Sequence, residues 1–385
     1  MLRPVEILLI VFILGAFLVF FGLLTVGILF LARASGRRMG RQRDAAVAAL
    51  GLRAEGRRGL VGERDGVPVR VRHATEGSGD NRRSYTYVEA ELDPPLRLGL
   101  NLRAQRWLGA RFSELFGSDV KLGDPRLDEA FHINAVEQEE LPRFLAFPEF
   151  RETLMQAWAS NSRFWITDDV VHVSFSGHTY APERLESPLA WVVAMAKNAR
   201  EARRRMGPTA REQAVIASWG GLAGSLGWTF DTERLSLDGS RGRLRFHVVP
   251  LLQRKGWSTR FRIDFPRPLG ASLSLTREGS LTPVARWFGM QDIEVGDPRF
   301  DSTFVVKGED KNAVRHLLGD AAIRDGLVTL MGAAKSLRVA DDHIDAVAQG
   351  LVEDAARLQS SLDSVADLAD RLVVRVSAPS QGAYR

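Results

Sequence analysis

Four aspartates are the first candidates for chemistry in this chain, because they form two identically spaced pairs: Asp124 with Asp128, and Asp297 with Asp301. Each pair sits in the same frame, Gly123-Asp124-Pro125-Arg126-Leu127-Asp128 running on to Phe131, and Gly296-Asp297-Pro298-Arg299-Phe300-Asp301 running on to Phe304. Two such carboxylates could divide the roles of general acid and general base, with the arginine beside them favouring the ionised form. The same frame has a structural reading. An aspartate before proline accepts backbone N–H bonds in a tight turn, and the second aspartate pairs locally. The spacing does not match the oxygen ligands of a calcium loop, and the structural reading is the one taken. The doubled aspartates Asp168-Asp169 and Asp341-Asp342 read in the same way, as hairpin turns.

The remaining chemistry-bearing residues narrow the choice further. None of the seven histidines falls at a metal-binding spacing. His172 and His343 follow the doubled aspartates at different distances, so they are not equivalent residues of a duplicated site. Gly221, Gly224 and Gly227 follow a helical pattern and lack the phosphate-loop lysine, which makes them a helix end entering a turn. There is no Gly-x-Ser-x-Gly. With Cys 0 the chain has no thiol nucleophile, thiolate zinc site, iron–sulfur cluster or disulfide. The expectation is a protein with no catalytic residues, no cofactor and no metal, that is, not an enzyme.

Whatever these residues do, a duplicated scaffold positions them. The 173-residue offset between the two aspartate frames persists from Val88 to Ala199 with hardly a gap. A repeat that long marks tandem domains, not a solenoid. Val88, Ala90 and Leu92 answer to Phe261, Ile263 and Phe265, and Leu98, Leu100 and Leu102 to Ala271, Leu273 and Leu275. Both sets alternate as half-buried strands do. Asp93-Pro94-Pro95 and Pro266-Arg267-Pro268 lie between them, so the pattern predicts a hairpin there in each copy. Val67, Val69 and Val71, and later Leu244, Phe246 and Val248, predict another strand.

Two short helices follow in each copy, over Glu137 to Leu145 and Phe150 to Ala159, and over Asp310 to Leu318 and Ile323 to Ala333. The stripes Leu185, Leu189, Val192, Ala196, Ala199 and Leu358, Leu362, Val365, Ala369, Leu372 predict a closing amphipathic helix. A further helix precedes each copy, and Met206-Gly207-Pro208-Thr209 marks the boundary. The expected fold class is α+β: an N-terminal transmembrane helix, then two homologous, mostly antiparallel-sheet domains, each closed by a long C-terminal helix. The divisions are 1–34 for the anchor, 35–206 and 207–376 for the repeats, and 377–385 for a flexible tail. The element order also suits a pleckstrin-homology-like barrel with a helical insertion.

The anchor is read from Ile7 to Ala32, which carry no charge. At about 1.5 Å per residue, a helix of that length outreaches a bilayer core of about 30 Å. Ala32-Arg33-Ala34 has the form of a signal cleavage site, but the apolar stretch is too long for a signal peptide. Arg33, Arg37, Arg38, Arg41 and Arg43 on its C-terminal flank orient the N-terminus outside a bacterial inner membrane and the main body in the cytoplasm. Gly15 and Gly22 share one helix face and would let two anchors approach as a homodimer. Arg203, Arg204 and Arg205 join the flank arginines as candidate contacts to anionic lipid, although cations are favoured at a helix C-terminus in any case. A net charge of +5 is no argument for nucleic acid, and none is expected.

One resemblance adds to this reading. Phe300-Asp301-Ser302-Thr303-Phe304-Val305-Val306, then Asp310, Leu317-Leu318 and the hairpin from Leu337 to Val347, resemble a module of uncharacterised bacterial membrane-associated proteins with a Phe-Asp-x-x-Phe-x-Val signature, here duplicated. The first copy departs from it, with Leu127 in place of the aromatic residue and Asn134-Ala135 in place of Lys-Gly. The resemblance implies the fold and membrane association and carries no activity. The functional expectation is a non-enzymatic, membrane-anchored protein whose tandem domains bind or scaffold a protein partner, using the cleft between the copies. The alternative is a module for a lipid headgroup or small ligand.

Overall fold

The computed structural model describes residues 38–56, 59–77, 82–105, 119–160, 163–253, 256–277 and 292–377. Among them, two eight-stranded sheets share one strand order. The first comprises β1 (Arg53–Glu55), β2 (Gly59–Arg64), β3 (Val67–Glu76), β4 (Arg83–Glu91), β5 (Asn101–Ala104), β6 (Phe131–Asn134), β7 (Arg163–Thr167) and β8 (Val170–Ser176), in spatial order β1-β2-β3-β4-β8-β7-β5-β6. The second comprises β9 (Thr229–Asp231), β10 (Ser236–Arg241), β11 (Leu244–Gln253), β12 (Gly256–Asp264), β13 (Ser274–Arg277), β14 (Phe304–Lys307), β15 (Ala334–Ala340) and β16 (His343–Gln349). It runs β9-β10-β11-β12-β16-β15-β13-β14. Every pairing is antiparallel, and the first sheet is registered, for example, by Val71 opposite Val88 and Val88 opposite Val173.

The expected fold class needs correction at its N-terminus. The stretch read as a membrane anchor, 7–32, lies outside the described residues, and among those no helix is long and apolar enough to cross a membrane. The two longest helices, α5 (Pro182–Met206) and α10 (Ala355–Ser377), carry charged residues throughout their outer faces. Each keeps one apolar stripe, and that stripe lies against its own sheet. Leu185, Leu189, Val192, Ala196 and Ala199 are buried in the first core, and Leu358, Leu362, Val365, Ala369 and Leu372 in the second. Among the described residues the transmembrane, single-pass description is therefore replaced by two units of sheet and helix.

Shorter helices complete each unit. In the first they are α1 (38–50), α2 (Pro125–Ala130), α3 (Leu141–Leu145) and α4 (Pro148–Ala159); in the second they are α6 (Ala210–Leu226), α7 (Pro298–Asp301), α8 (Lys311–Leu318) and α9 (Ala321–Ala333). α6 stands against the second core through Val215, Trp219 and Ala223, and the Trp219 indole N–H donates to the Val352 carbonyl at 2.8 Å. The stop at Met206 is made by Gly207, whose φ of 75° with ψ −178° is a combination that glycine adopts readily and other residues do not. α6 then restarts on a capping box between Thr209 and Glu212.

The predicted hairpin at Asp93-Pro94-Pro95 does not form. β4 pairs with β3 and β8, whereas β5 pairs with β6 and β7. The segment between them is pinned by the first aspartate of the doubled pair. The Asp168 carboxylate accepts the N–H groups of Leu98, Gly99 and Leu100 at 3.1, 2.7 and 3.0 Å, and its carbonyl accepts that of Leu96 at 2.9 Å. The second copy repeats this with Asp341, which accepts from Gly270, Ala271 and Leu273. Leu98 and Leu100 thus alternate and are buried without belonging to a ladder.

Burial pushes the Asp168 carboxyl up to about 6, against the three N–H groups that favour its charge. A carboxyl raised in the folded state holds its proton longer there than in the unfolded chain. Its contribution to stability therefore falls as pH rises from about 4 to about 6. Asp168→Asn should flatten that slope while lowering stability overall, through the lost acceptor. Urea unfolding at a series of pH values checks this.

The cleft between the repeats

The duplicated aspartates are consumed locally in both copies. Asp124 caps α2 by accepting the N–H of Arg126 at 3.0 Å and of Leu127 at 3.4 Å, and it pairs with Arg151 on α4. Asp297 caps α7 through Arg299 and Phe300, both at 3.2 Å, and pairs with Arg324 on α9 at 2.8 Å. Asp128 takes the N–H groups of Leu122 and Gly123, and Asp301 those of Val295, Gly296 and Asp297. Gly123 and Gly296 turn with φ 76° and 81°, Pro125 and Pro298 open the helices, and Phe131 and Phe304 are buried. The Arg324 guanidinium holds Asp297 below the usual carboxylate range, helped by the two N–H groups. Desolvation raises Asp124, but Arg151 and its N–H partners outweigh this and lower it too. A general acid would need the opposite shift.

Asp297→Ala and Asp124→Ala should each lower the thermal midpoint through loss of a helix cap. Any functional loss should follow stability, and a variant with full stability and abolished function would contradict that.

The histidines are equally inequivalent. His172 is buried on β8 beside Glu89, and burial pushes it down to about 4 despite that carboxylate. His343 pairs with Asp342 at 2.6 Å. Among the described residues, no three His, Asp or Glu stand together as metal ligands.

The arginines proposed for a lipid surface divide. Arg33 and Arg37 lie outside the described residues, Arg38 and Arg41 are exposed, and Arg43 donates to the Gly56 carbonyl at 2.7 Å. Arg204 and Arg205 both pair with Glu201, whose carboxyl their guanidinium groups pull down to about 2. Arg203 faces inward, so its place in a membrane-facing set is corrected by what it touches.

What it touches joins the two repeats. Glu212, only 1 % exposed, receives Arg97 Nε at 2.7 Å and Arg203 from the other side. Arg203 also donates to the carbonyls of Leu96 at 2.7 Å and Gly207 at 2.6 Å. Arg97 continues to the carbonyl of Glu233 at 2.8 Å and that of Arg234 at 3.4 Å, on the turn between β9 and β10. Burial raises the Glu212 carboxyl, but Arg203, Arg97 and the Thr209 N–H overcome this and hold it low. Outside this knot, Arg234 pairs with Asp93 at 2.7 Å, and the Trp257 indole N–H donates to Glu137 at 2.6 Å.

Above the knot lies a cavity of about 660 Å³, with walls from both repeats. The first repeat supplies the β2–β3 turn at Asp65 and Gly66, Pro94 and Pro95, and the last turns of α5; the second supplies Ile216, Thr232, Glu233 and Leu235. Comparing the copies at the 173-residue offset singles this place out. Arg97 has φ 53° where the second copy has Gly270 at φ 74°. Arg200 and Arg203 stand where the second copy has Val373 and Val376. In the second copy those valines pack against the core. The arginine-for-glycine exchange was present in the sequence, but the left-handed conformation that gives it meaning was not.

No protein-family model matches the chain, and neither does any curated protein. Among solved structures, the crystal structure of the mycobacterial trehalose monomycolate transport factor A, TtfA, is similar at a TM-score of 0.32 with 12% sequence identity, covering 42% of this chain and 96% of that one. A likeness of that size carries no argument about fold or function.

Proposed function

We propose that this protein is a non-catalytic binding protein whose two repeats form a single receptor site in the cleft between them. One observation supports this above the rest. The groups kept in both copies are used up in caps and turns, while Arg97, Arg200, Arg203 and Arg204, none of them an arginine in the second copy, gather at one cleft. Duplication followed by divergence at a shared cavity is what a binding site between repeats requires. The cavity volume falls within the range of about 300–1,000 Å³ usual for small-molecule sites, which favours a small ligand over the protein partner expected from the sequence.

The test is a thermal-shift comparison over a set of small metabolites, using the full-length chain and Thr232→Trp. Thr232 is an exposed lining residue, so its enlargement fills the cleft without entering either core. A ligand at a hundredfold excess over its Kd should stabilise the protein by about 2.7 kcal/mol. Binders should lose their effect on Thr232→Trp. Shifts unaltered by the substitution, or no shift with any compound, would remove the proposal.

A further inference from the structure

The charges lining the cleft leave one cation over. Arg97 and Arg203 share Glu212, Lys197 pairs with Asp65 at 2.9 Å, and Arg204 pairs with Glu201 at 2.7 Å. Arg200 lines the same cavity and is half-buried; it has no carboxylate or carbonyl partner among the described residues. Glu233 also lines the cleft, but it is exposed at the rim, where water screens it and the Arg204 charge lies nearby. The uncompensated charge toward the interior is therefore positive.

The position of Arg200 is specific. It lies one turn beyond Lys197 and one turn before Arg203 and Arg204, so these cations share the cleft face of α5. Its counterpart in the second copy, Val373, lies against the core. The rest of the cavity offers apolar surface from Pro94, Pro95, Pro208, Ile216 and Leu235. A planar guanidinium beside apolar walls suits one chemistry well: a bidentate acceptor of hydrogen bonds carried on an apolar body.

Resting on the receptor reading above, we infer that the cleft binds a small organic anion, whose carboxylate or phosphate is held by Arg200 and whose apolar body lies on the proline and aliphatic walls. A neutral molecule of the same shape leaves Arg200 unanswered and binds less tightly.

Isothermal titration of the full-length chain with phenylacetate, phenyl phosphate, inorganic phosphate and neutral phenylacetamide tests this. One of the two phenyl anions should bind, and phenylacetamide should bind at least tenfold more weakly. Arg200→Ala should weaken the anion about 10- to 100-fold, the range for losing a hydrogen bond to a charged group. Arg200→Lys should recover part of the loss. Circular dichroism would confirm that both variants keep their fold. Phenylacetate binding more tightly than phenyl phosphate assigns a carboxylate, and the reverse order a phosphate; inorganic phosphate matching phenyl phosphate would show that the apolar body adds nothing and would overturn the inference.

Equal affinity of Arg200→Ala and the unaltered chain, or no heat from any anion at about 1 mM, would overturn the inference. Phenylacetamide that binds as well as phenylacetate and is lost on Thr232→Trp would overturn it while sparing the receptor reading. Binding that persists in Thr232→Trp would overturn both.

Discussion

Glu212→Ala should destabilise the protein by about 3–5 kcal/mol, the cost of removing one partner from a buried ion pair. The expectation is this large because three dependencies end on one carboxylate. Arg97 and Arg203, at 9 % and 11 % side-chain exposure, would be left buried without a counter-charge. The capping box at the start of α6 would open as well, since Glu212 accepts the Thr209 N–H at 2.8 Å. Glu212→Gln keeps the cap and much of the shape, so it should cost less. Denaturant unfolding followed by tryptophan fluorescence measures both, and a loss under about 1 kcal/mol for alanine would show the pair behaving like a surface one. The pH dependence has a definite sign. Glu212 is lowered from its ordinary 4.5, so its contribution is fully present above that pH and is lost as pH falls further. The alanine variant should lack that part of the acid sensitivity.

Arg97→Gly should cost about 2–4 kcal/mol, less than Glu212→Ala, because two effects oppose each other. Losing the guanidinium leaves Glu212 with Arg203 alone and takes the donor from the carbonyls of Glu233 and Arg234. Glycine at φ 53° relieves a left-handed conformation that costs an ordinary residue about 1–2 kcal/mol. In the second copy the same position is glycine already. Combining Arg97→Gly with Glu212→Ala should then cost far less than the sum, because both remove one network. Additive losses would show that the arginine and the carboxylate act separately.

Much of the scaffold was legible because it depends on local period. Val67, Val69 and Val71 alternate along a strand with one face on the core, and the stripe on α5 follows the helical period. The error at Leu98 and Leu100 came from the same signal. Alternating burial also arises where an irregular segment is pinned by a carboxylate about 70 residues away, and no local pattern reveals that acceptor. The cleft was hidden for a similar reason. Arg203 lies in a basic run at a helix end, which usually faces solvent or a charged surface, and only the distant Glu212 turns it inward. Arg97 was detectable by aligning the copies, but it differs from Gly270 by a side chain whose reach only the fold supplies.

The glycine and valines of the second copy have a consequence for how such a chain can grow. Gly270 offers no side chain to a following unit, and Val373 and Val376 turn the last turns of α10 toward their own core. The second repeat thus has, among the described residues, no counterpart of the arginine cluster by which the first repeat meets its C-terminal neighbour. Appending a third unit of the second kind would add a folded module without adding a cleft. Extending the array would require the arginines of the first copy to be installed in the second, and a chain so altered would carry two sites in series.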